Sequence, residues 1–475
     1  MKEVNAVIIT IGDELLIGQT IDTNSAFISQ ELNKIGIWVK RRIAIGDAKE
    51  EILNALKEQS KDCDLVIITG GLGPTADDIT KPALCEYFNS NLVINEEALQ
   101  NVKAIFTKLN KPLIDRNLKQ AEVPHNCTVL QNERGTAPGM WWEAWAPQSP
   151  KGEVSDTQPL LNQDANKNSD THQSEALSDG LTPLGGQEGF HLGSKGAARF
   201  FISLPGVPHE MKGLLINGVL PKLKKEFELP VILHKTALVA GKGESEIAEI
   251  IFDFESRLPP YIKLAYLPAY GMLRLRLTAK GDENETVQKD IDQYFDELKK
   301  LVKEWLVADE DITLQEAVNR LLKEKKKTAS TAESCTGGYI AHLITSVSGS
   351  SEIFNGSVVS YSNDAKENLI GVQHITLKKF GAVSEETVKE MAEGVRQAMK
   401  TDYAIATSGI MGPGGGSDKK PAGMVWIAVG NKNKVKAQKF FFRFDRSRNT
   451  ELTAHTALNM LRRFVLEEED DKKRD

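Results

Sequence analysis

One short stretch of the chain places a serine, a cysteine and a threonine directly before two glycines. It reads Thr-Ala-Glu-Ser-Cys-Thr-Gly-Gly and spans residues 331–338. A hydroxyl or thiol in such a turn can act as a nucleophile, and nearby backbone N–H groups can stabilise an oxyanion. Ser and Thr are also preferred in turns and at helix N-termini. Ser334 alone therefore indicates either a nucleophile or a turn residue.

Apolar spacing on both sides of this stretch indicates the elements that would position it. Residues with helical spacing run from Leu314 to Leu322 and again from Ile340 to Val347, and a short strand-like run precedes the stretch. We therefore expect a strand, a turn and a helix that begins at or just after Gly338. Such a unit directs the helix N-terminus towards a phosphate or an oxyanion, and glycine lets the backbone approach closely.

Two further segments place polar residues after predicted strands. A strand over residues 356–361 leads into Ser-Asn-Asp-Ala-Lys, which ends at Lys366, and a strand from Tyr403 to Thr407 leads into a glycine-rich run. No histidine accompanies Ser334 in these segments. Lys366 is the candidate base, because burial beside another cation lowers the pKa of a lysine, although a surface-helix position would also explain it. Tyr361 would relay a proton, hold the serine hydroxyl, or simply fill the strand end.

The order of four motifs in this region resembles a known enzyme domain. Glu-Ser-Cys-Thr-Gly-Gly, Tyr-Ser-Asn-x-x-Lys, Gly-Ala-Val-Ser and Ser-Gly-Ile-x-Gly-Pro are similar to the nicotinamide mononucleotide deamidase domain of the CinA (competence/damage-inducible protein A) family. The resemblance implies hydrolysis of this nucleotide to nicotinate mononucleotide and ammonia, without a cofactor. The catalytic residues would be Ser334, Lys366 and Tyr361. The substrate-binding residues would be Thr336, Gly337, Gly338, Ser351, Ser408, Gly412, Gly414, Gly415 and Arg446.

One arginine position departs from the family pattern. The family usually has Gly-Asp-Arg with a second arginine one helical turn later, whereas this chain has Phe444-Asp445-Arg446 and then Thr450. Arg446 matches the pattern and would clamp the nucleotide phosphate through two hydrogen bonds. Arg448 stands at a different spacing and receives no role.

The N-terminal segment alternates strands and helices, which predicts a parallel sheet covered by helices. The expected elements are strand Val4–Ile11, helix Asn24–Lys34 capped by Thr23 or Asn24, strand Ile37–Ile45, helix Lys49–Ser60 and strand Leu65–Thr69. The last strand leads into Gly-Gly-Leu-Gly-Pro-Thr. Gly70, Gly71, Gly73 and Thr75 are the candidate phosphate-binding residues there. Asp77 and Asp78 would hold a divalent metal, or they would only favour the dipole of the next helix.

This loop and three other segments resemble the N-terminal domain of CinA proteins. The other segments are residues 12–18, 132–139 and 204–211. That domain belongs to the molybdopterin-binding superfamily, related to MoaB and MoeA. The resemblance implies an ADP-ribose pyrophosphatase that uses a divalent metal ion of unknown identity. A molybdopterin-related nucleotidyl or metal transfer protein is the alternative that the same fold permits.

The segments between these two domains differ in composition. Residues 145–198 are rich in Gln, Ser, Asn, Asp, Gly and Pro, which predicts a disordered insertion, where the family normally has a much shorter link. Residues 229–307 alternate strand, helix, two strands and helix. Their Gly-x-Gly-Glu-Ser and Tyr-Leu-Pro motifs resemble the KH-like domain of the family. Because Gly-Lys-Gly replaces the RNA-gripping Gly-x-x-Gly loop, we expect a connector or dimerisation role.

Length and composition set the overall expectation. The chain has 475 residues and a formal net charge of −7. We expect an α/β protein with a three-layer molybdopterin-binding-like domain (1–228), a small α+β KH-like domain (229–307), a C-terminal α/β deamidase domain (308–466) and a charged tail (467–475). The acidic charge argues against a nucleic-acid partner, and no span or leader pattern indicates a membrane.

The four cysteines lie far apart, as reduced thiols do, and with the missing leader pattern they predict a cytoplasmic protein, expected as a homodimer. Both activities would serve pyridine nucleotide recycling, with nicotinamide mononucleotide and ADP-ribose as the substrates. A non-enzymatic competence or DNA-damage accessory factor is the remaining alternative.

Overall fold

The computed structural model describes residues 3–75, 78–143, 199–269 and 271–474, with side chains to residue 468. The predicted insertion at 145–198 and Asp77 lie outside these residues. The chain divides into two compact units, Met1–Pro230 and Val231–Asp475, which are treated separately. No helix within the described ranges is both long and apolar enough to cross a membrane.

The first unit is built on a six-stranded sheet in the order β2-β1-β3-β8-β7-β6. The strands of this unit are β1 (Asn5–Ile11), β2 (Trp38–Ile45), β3 (Leu65–Thr69), β4 (Leu92–Ile94), β5 (Glu122–Pro124), β6 (Thr128–Leu130), β7 (Gly139–Glu143) and β8 (Phe200–Leu204). The helices are α1 (Asp13–Leu16), α2 (Thr23–Lys34), α3 (Lys49–Gln59), α4 (Thr80–Tyr87), α5 (Glu96–Lys108), α6 (Asp115–Leu118), α7 (Pro208–Leu214) and α8 (Leu220–Glu226).

The two sides of β1 explain why this unit has three layers. Val7, Ile9 and Ile11 join the apolar cluster that α3 covers, whereas Ala6 and Ile8 join the cluster that α2 covers. Successive side chains of a strand point to opposite faces, so a strand buried on both sides reads as a continuous apolar run. The three-layer prediction is confirmed.

The parallel sheet predicted for the strands of residues 4–69 is confirmed, whereas the predicted cap of α2 is wrong. β2, β1, β3 and β8 are parallel, but β7 and β6 pair antiparallel, because the chain passes from β6 to β7 without the helical crossover that parallel strands need. The cap of α2 is Asp22, whose carboxylate accepts a 2.9 Å hydrogen bond from the Ser25 N–H. The helix therefore begins at Thr23, and the cap lies one residue earlier than expected.

The second unit contains two sheets. Its strands are β9 (Val231–Ala240), β10 (Ile262–Ala269), β11 (Met272–Gly281), β12 (Leu306–Ala308), β13 (Ala329–Glu333), β14 (Phe354–Val359), β15 (Tyr403–Gly409), β16 (Met424–Gly430) and β17 (Val435–Phe441). Its helices are α9 (Glu244–Ile250), α10 (Phe252–Ser256), α11 (Asn284–Leu301), α12 (Leu314–Glu324), α13 (Tyr339–Thr345), α14 (Asn363–Ile370), α15 (His374–Phe380), α16 (Glu385–Met399) and α17 (Arg446–Arg474).

The smaller sheet is antiparallel, in the order β10-β11-β9-β12. It has the predicted strand, helix, two strands and helix, and it adds β12 at its edge. β12 has three residues, which is too short for an alternating pattern to show in the sequence. Leu238 and Met272 of this sheet belong to the same apolar cluster as Leu458 of α17, so the middle segment packs on the C-terminal one.

The larger sheet has the order β14-β13-β15-β16-β17. β13 is parallel to both β14 and β15, and the last two strands pair antiparallel. Ile405 of β15 faces the apolar cluster formed with α12, α13 and α17, whereas Ala404 and Ala406 face the cluster formed with α16. Helices on both sides leave the carboxyl ends of β13, β14 and β15 as one edge.

Candidate active site

Three parallel strands bring the predicted catalytic segments to one edge of the larger sheet. Ser334 follows β13, Lys366 lies on α14 after β14, and Ser408 is the penultimate residue of β15. Ala332 is paired with Val358 on one side and with Ala406 on the other, so the three strands end at the same level. Ligands of such sheets bind outside the carboxyl ends of the strands.

Ser334 and Lys366 are in direct contact. The Lys366 Nζ lies 3.1 Å from the Ser334 Oγ and also donates to the carbonyl oxygens of Ser360 (2.7 Å) and Tyr361 (3.4 Å). The lysine side chain is 1% exposed. Burial lowers the pKa of Lys366 below that of an ordinary lysine. Burial alone, rather than the expected second cation, therefore favours the neutral amine that a general base must be.

Cys335 points away from this pair. Its side chain belongs to the apolar cluster under α13 and α17, whereas the hydroxyl of its neighbour Ser334 meets Lys366. Burial raises the pKa of the Cys335 thiol to about 12, so the thiolate is absent at neutral pH. The adjacent side chains of Ser334 and Cys335 therefore diverge on this turn.

Glu333 holds the turn that carries Ser334. Its buried carboxylate accepts hydrogen bonds from the backbone N–H groups of Gly338 (3.0 Å), Ile340 (3.0 Å) and Ala341 (2.8 Å) and from the hydroxyls of Thr331 (3.1 Å) and Thr336 (2.7 Å). Since Glu333 occupies the N-terminus of α13, the expectation that this helix end binds a substrate anion is wrong.

Sequence reasoning missed this residue. The available signal was an acidic residue at the end of a predicted strand, four residues before the Gly-Gly pair at which a helix starts.

Hydrogen bonds and turn positions within the protein account for the other predicted site residues of this turn. The Thr336 hydroxyl lies between Glu333 and the Thr407 hydroxyl, at 2.7 and 2.8 Å. Gly338 is the N-terminal cap of α13 and adopts a left-handed backbone conformation (φ 97°), with Gly337 in the turn before it. These residues shape the nucleophile turn, so we assign them positioning roles in place of the predicted substrate contacts.

Ser408 has a similar internal partner. Its buried hydroxyl donates to the carbonyl oxygen of Ala382, at 2.7 Å. The Lys420 ammonium holds the same segment through the carbonyl oxygens of Phe380 and Val383, both at 2.7 Å. Ser408 and Lys420 therefore fix the Gly-Ala-Val-Ser segment to the end of β15.

Tyr361 contacts Arg446 rather than Ser334. Its side chain is 64% exposed, and its hydroxyl accepts a 3.1 Å hydrogen bond from Arg446. Arg446 also donates to the carbonyl oxygen of Gly412, at 3.2 Å. The backbone carbonyl of Tyr361, rather than its hydroxyl, contacts Lys366. The proton relay through the Tyr361 hydroxyl stays a prediction. Arg446 joins Tyr361 to the glycine-rich loop that also carries Gly414 and Gly415.

Ser351 is the predicted site residue that the structure places elsewhere. It lies in the short turn Ser350–Glu352, which precedes β14. Because β14 is parallel to β13, Ser351 is at the amino end of the sheet and Ser334 is at the carboxyl end. At about 3.3 Å per residue, a six-residue strand separates the two ends, so the assignment of Ser351 to the substrate site is wrong.

The glycine-rich loop of the first unit packs tightly against its neighbours. A Cβ at Gly70 would lie 2.2 Å from the Ile11 carbonyl oxygen, and one at Gly71 would lie 2.1 Å from the Thr80 hydroxyl oxygen. These two glycines allow the loop to leave β3 between β1 and α4. Close backbone packing explains them without a ligand, and it also leaves the loop at the carboxyl edge of the sheet, where ligands bind.

The end of this loop is tied to Asp78. The carboxylate of Asp78 accepts from the N–H (2.9 Å) and the hydroxyl of Thr75, and a Cβ at Gly73 would meet the same carboxylate. Asp77 lies outside the described residues. Across 3–75, 78–143, 199–269 and 271–474, no three His, Cys, Asp or Glu side chains are grouped as metal ligands. The described residues therefore do not form a complete metal site, and the metal stays a prediction.

Comparison with known families defines the class of protein. Residues 7–225 match the model of a probable molybdopterin binding domain, residues 234–308 match the damage-inducible protein CinA KH domain, and residues 311–465 match the CinA C-terminal domain. The chain is thus an α/β protein that combines these three domains in this order.

Whole-chain relatives give the family itself. The chain is 41% identical to a CinA-like protein of Cytophaga hutchinsonii and 42% identical to one of Flavobacterium psychrophilum, over 97% of this chain and 98% of each relative. A relative of known structure is the competence/damage inducible protein CihA from Agrobacterium tumefaciens, whose sequence is 39% identical to this chain. The match covers 31% of this chain and 91% of that one, with a TM-score of 0.31. The chain belongs to the CinA family.

Proposed function

We propose that the C-terminal domain hydrolyses nicotinamide mononucleotide to nicotinate mononucleotide and ammonia, with Ser334 as the nucleophile and Lys366 as the base. The observation that carries the proposal is the 3.1 Å contact between the Lys366 Nζ and the Ser334 Oγ at the carboxyl edge of the sheet. A carboxamide needs a strong nucleophile and a proton donor for its nitrogen. A buried lysine with a lowered pKa can accept the serine proton and later return it.

The reaction divides into two balanced halves. Ser334 Oγ attacks the carboxamide carbon while neutral Lys366 takes the serine proton. Lys366 then gives this proton to the nitrogen, and the carbon–nitrogen bond breaks. Ammonia departs, and the acyl group remains on Ser334 as an ester. Water attacks the ester with Lys366 again as base, and the proton returns to the Ser334 oxygen as nicotinate mononucleotide departs.

The oxyanion formed in each half needs hydrogen-bond donors near Ser334. Since Glu333 occupies the N–H groups of Gly338, Ile340 and Ala341, we assign this role to the backbone N–H groups of Cys335 and Thr336 in the preceding turn. Glu333 would keep that turn in place during the reaction.

The nucleotide phosphate would bind at Arg446 and the glycine-rich loop. The guanidinium has five N–H donors, and its two contacts are to neutral oxygen acceptors, Tyr361 Oη and Gly412 O. Donors therefore remain for a phosphate, which is a stronger acceptor. The exposed ring of Tyr361 would then lie against the positively charged pyridine ring, a contact that an aromatic face favours.

The direct test incubates purified protein with nicotinamide mononucleotide and measures ammonia and nicotinate mononucleotide together. We expect equal amounts of both from the native chain and none from Ser334→Ala. Turnover would exclude the alternative of a non-enzymatic competence or DNA-damage factor for this domain. A protein without turnover under any condition that keeps it folded would refute the deamidase proposal.

For the N-terminal domain we propose metal-dependent hydrolysis of ADP-ribose. The support is the glycine-rich loop at the carboxyl edge of β3, with Thr75 and Asp78 linked at its end. ADP-ribose hydrolysis assayed with and without added divalent metal tests the proposal. Transfer of a nucleotide or a metal to molybdopterin, without any hydrolysis of ADP-ribose, would favour the alternative function.

A further inference from the structure

One buried side chain joins the two segments that place Arg446. Arg446 begins α17, and the residues just before it, including Phe444, connect α17 to the end of β17. The Arg446 guanidinium contacts the loop of residues 410–416, which follows β15. Asn449 lies in the first turn of α17 between this loop and Phe444, and it is 2% exposed. The asparagine therefore lies behind the phosphate position proposed at Arg446.

The Asn449 amide makes three hydrogen bonds to backbone groups. Its Nδ2 donates to the carbonyl oxygens of Met411 (3.0 Å) and Phe444 (2.9 Å), and its Oδ1 accepts from the Phe444 N–H (3.1 Å). Both donors of the amide are thereby used. Within the described residues, no other hydrogen bond engages these three backbone groups. The amide is therefore the polar link between Phe444 and Met411.

This link fixes the arginine relative to its own acceptor. Met411 directly precedes Gly412, whose carbonyl oxygen accepts a 3.2 Å hydrogen bond from Arg446. Phe444 precedes Arg446 by two residues. One amide thus holds both the backbone that carries the guanidinium and the loop that the guanidinium contacts.

The surroundings of Arg446 leave its charge available to a phosphate. The adjacent carboxylate of Asp445 accepts a 3.0 Å backbone hydrogen bond within the first turn of α17 and thereby caps the helix. In the part of the chain that the structure describes, the guanidinium donates to the neutral oxygens of Gly412 and Tyr361. This chain has Thr450 where the family has a second arginine. Phosphate recognition therefore depends on how accurately Arg446 is placed.

We propose that Asn449 is a positioning residue through which the deamidase site selects the phosphorylated nucleotide over the nucleoside. The inference rests on the proposed deamidase function. Asn449 touches no reacting atom and acts through Arg446, whose guanidinium has to meet the phosphate oxygens in a fixed geometry. Misplacing a binding group by about 1 Å can cost roughly a hundredfold in rate.

Two substrates separate this role from a general structural one. Nicotinamide mononucleotide and nicotinamide riboside carry the same carboxamide, but the riboside lacks the phosphate. Asn449→Ala should lower kcat/KM for the mononucleotide at least about tenfold, mainly through KM, and leave kcat/KM for the riboside nearly unchanged. The reason is that Ser334 and Lys366 are held at the ends of β13 and β14, which the Asn449 amide does not contact. Steady-state kinetics with both compounds gives the ratio.

A double variant tests whether Asn449 acts through Arg446. Arg446→Ala alone should remove the preference for the mononucleotide, and adding Asn449→Ala should lower it no further. Asn319→Ala is the matched control, because Asn319 is also a buried amide (6% exposed) that donates to a backbone carbonyl oxygen, that of Gln315, at 2.8 Å. The control should lower thermal stability and keep the native preference. Asn449→Ser, which keeps a short polar side chain, gives the same comparison where the alanine variant does not fold.

The outcomes distinguish this inference from the proposed function. A native preference retained in Asn449→Ala, equal losses for both compounds, or losses that add to those of Arg446→Ala would each overturn the positioning role. The deamidase proposal would then stand, because the native chain still hydrolyses the mononucleotide. A native chain that hydrolyses neither compound would refute both.

Discussion

Lys366 and Ser334 form a pair in which each residue depends on the other. Ser334→Ala removes the nucleophile, and Lys366→Met removes the base while keeping a long side chain in the same buried space. We expect each change to lower turnover of nicotinamide mononucleotide by at least about a hundredfold, the scale for losing a general base. Ammonia release measured at saturating substrate gives this number.

Cys335→Ala is the matched control for this pair, because it alters the adjacent side chain without touching Lys366. With a thiol pKa of about 12 in the apolar cluster, Cys335 should not contribute to catalysis, and most of the turnover should remain. Iodoacetamide should inhibit weakly. An active Ser334→Ala protein beside an inactive Cys335→Ala protein would replace the serine mechanism with a thiol mechanism.

The lowered pKa of Lys366 predicts how the rate depends on pH. The base must be neutral, so kcat/KM should rise with pH through the pKa of Lys366 in the folded protein and then level off. Because burial lowers this pKa from the ordinary value of 10.5, the midpoint of the rise should lie below that pH. The measurement is the pH profile of kcat/KM. Lys366→Arg, which stays protonated, should abolish the rise, and a native profile independent of pH would exclude Lys366 as the base.

Residue order alone was enough to connect Ser334 with Lys366, since both matched motifs after parallel strands. It was insufficient for Tyr361, Thr336 and Ser408. Their hydroxyls could serve substrate or protein, and the choice depends on which partners the fold brings near. Tertiary contacts place Tyr361 beside Arg446, 85 residues away, and no local pattern contains that information.

At the scale of elements, the turn between β13 and α13 depends on the Glu333 carboxylate. Glu333→Gln replaces one acceptor oxygen by an NH₂ group, so at least one of the buried backbone N–H groups of Gly338, Ile340 and Ala341 loses its acceptor. Leaving buried donors unpaired should destabilise the protein by roughly 2 kcal/mol or more. It should also lower kcat strongly, because the displaced turn carries Ser334. Calorimetric unfolding and steady-state kinetics measure the two effects.

A cap from the other unit provides the control for Glu333→Gln. Asn95 caps α5 by accepting a 2.9 Å hydrogen bond from the Ala98 N–H. Asn95→Ala should cost about 1 kcal/mol, as ordinary cap removals do, and leave deamidation unchanged. If Glu333→Gln behaves in the same way, the carboxylate is an ordinary cap and has no role in positioning the nucleophile.

Most elements could be predicted from the sequence because their apolar periods are long. β3 matches its predicted residues, and α13 begins at Tyr339 as expected. β12 and the antiparallel direction of β7 and β6 could not be predicted in this way. A three-residue strand shows no period, and strand direction depends on the connection rather than on the strand's own residues.

At the scale of the whole molecule, the segment between β7 and β8 can be tested by deletion. Glu143 at the end of β7 is paired with Phe200 at the start of β8, in antiparallel register. The two strand ends that the segment connects are therefore adjacent in the sheet. A short turn can join such strands. Replacing residues 148–196, which have no periodic apolar pattern, with a short Gly-Ser link should leave both activities and thermal stability nearly unchanged. Loss of soluble protein on deletion would show that the segment is structural.

The division into two units predicts that the two activities can be lost separately. Asp78→Asn keeps the size and one acceptor oxygen of the side chain that holds Thr75, and it removes the charge that a metal would need. Asp78→Asn and Asp77→Asn should each lower metal-dependent hydrolysis of ADP-ribose and leave deamidation intact, because Ser334 belongs to the other unit.

Asp62→Asn is the control, since Asp62 precedes β3 and lies at the opposite end of the sheet. Both reactions are assayed on the same preparation over a range of metal concentrations. Unchanged ADP-ribose hydrolysis in both aspartate variants would mean that these carboxylates only stabilise the loop and the start of α4.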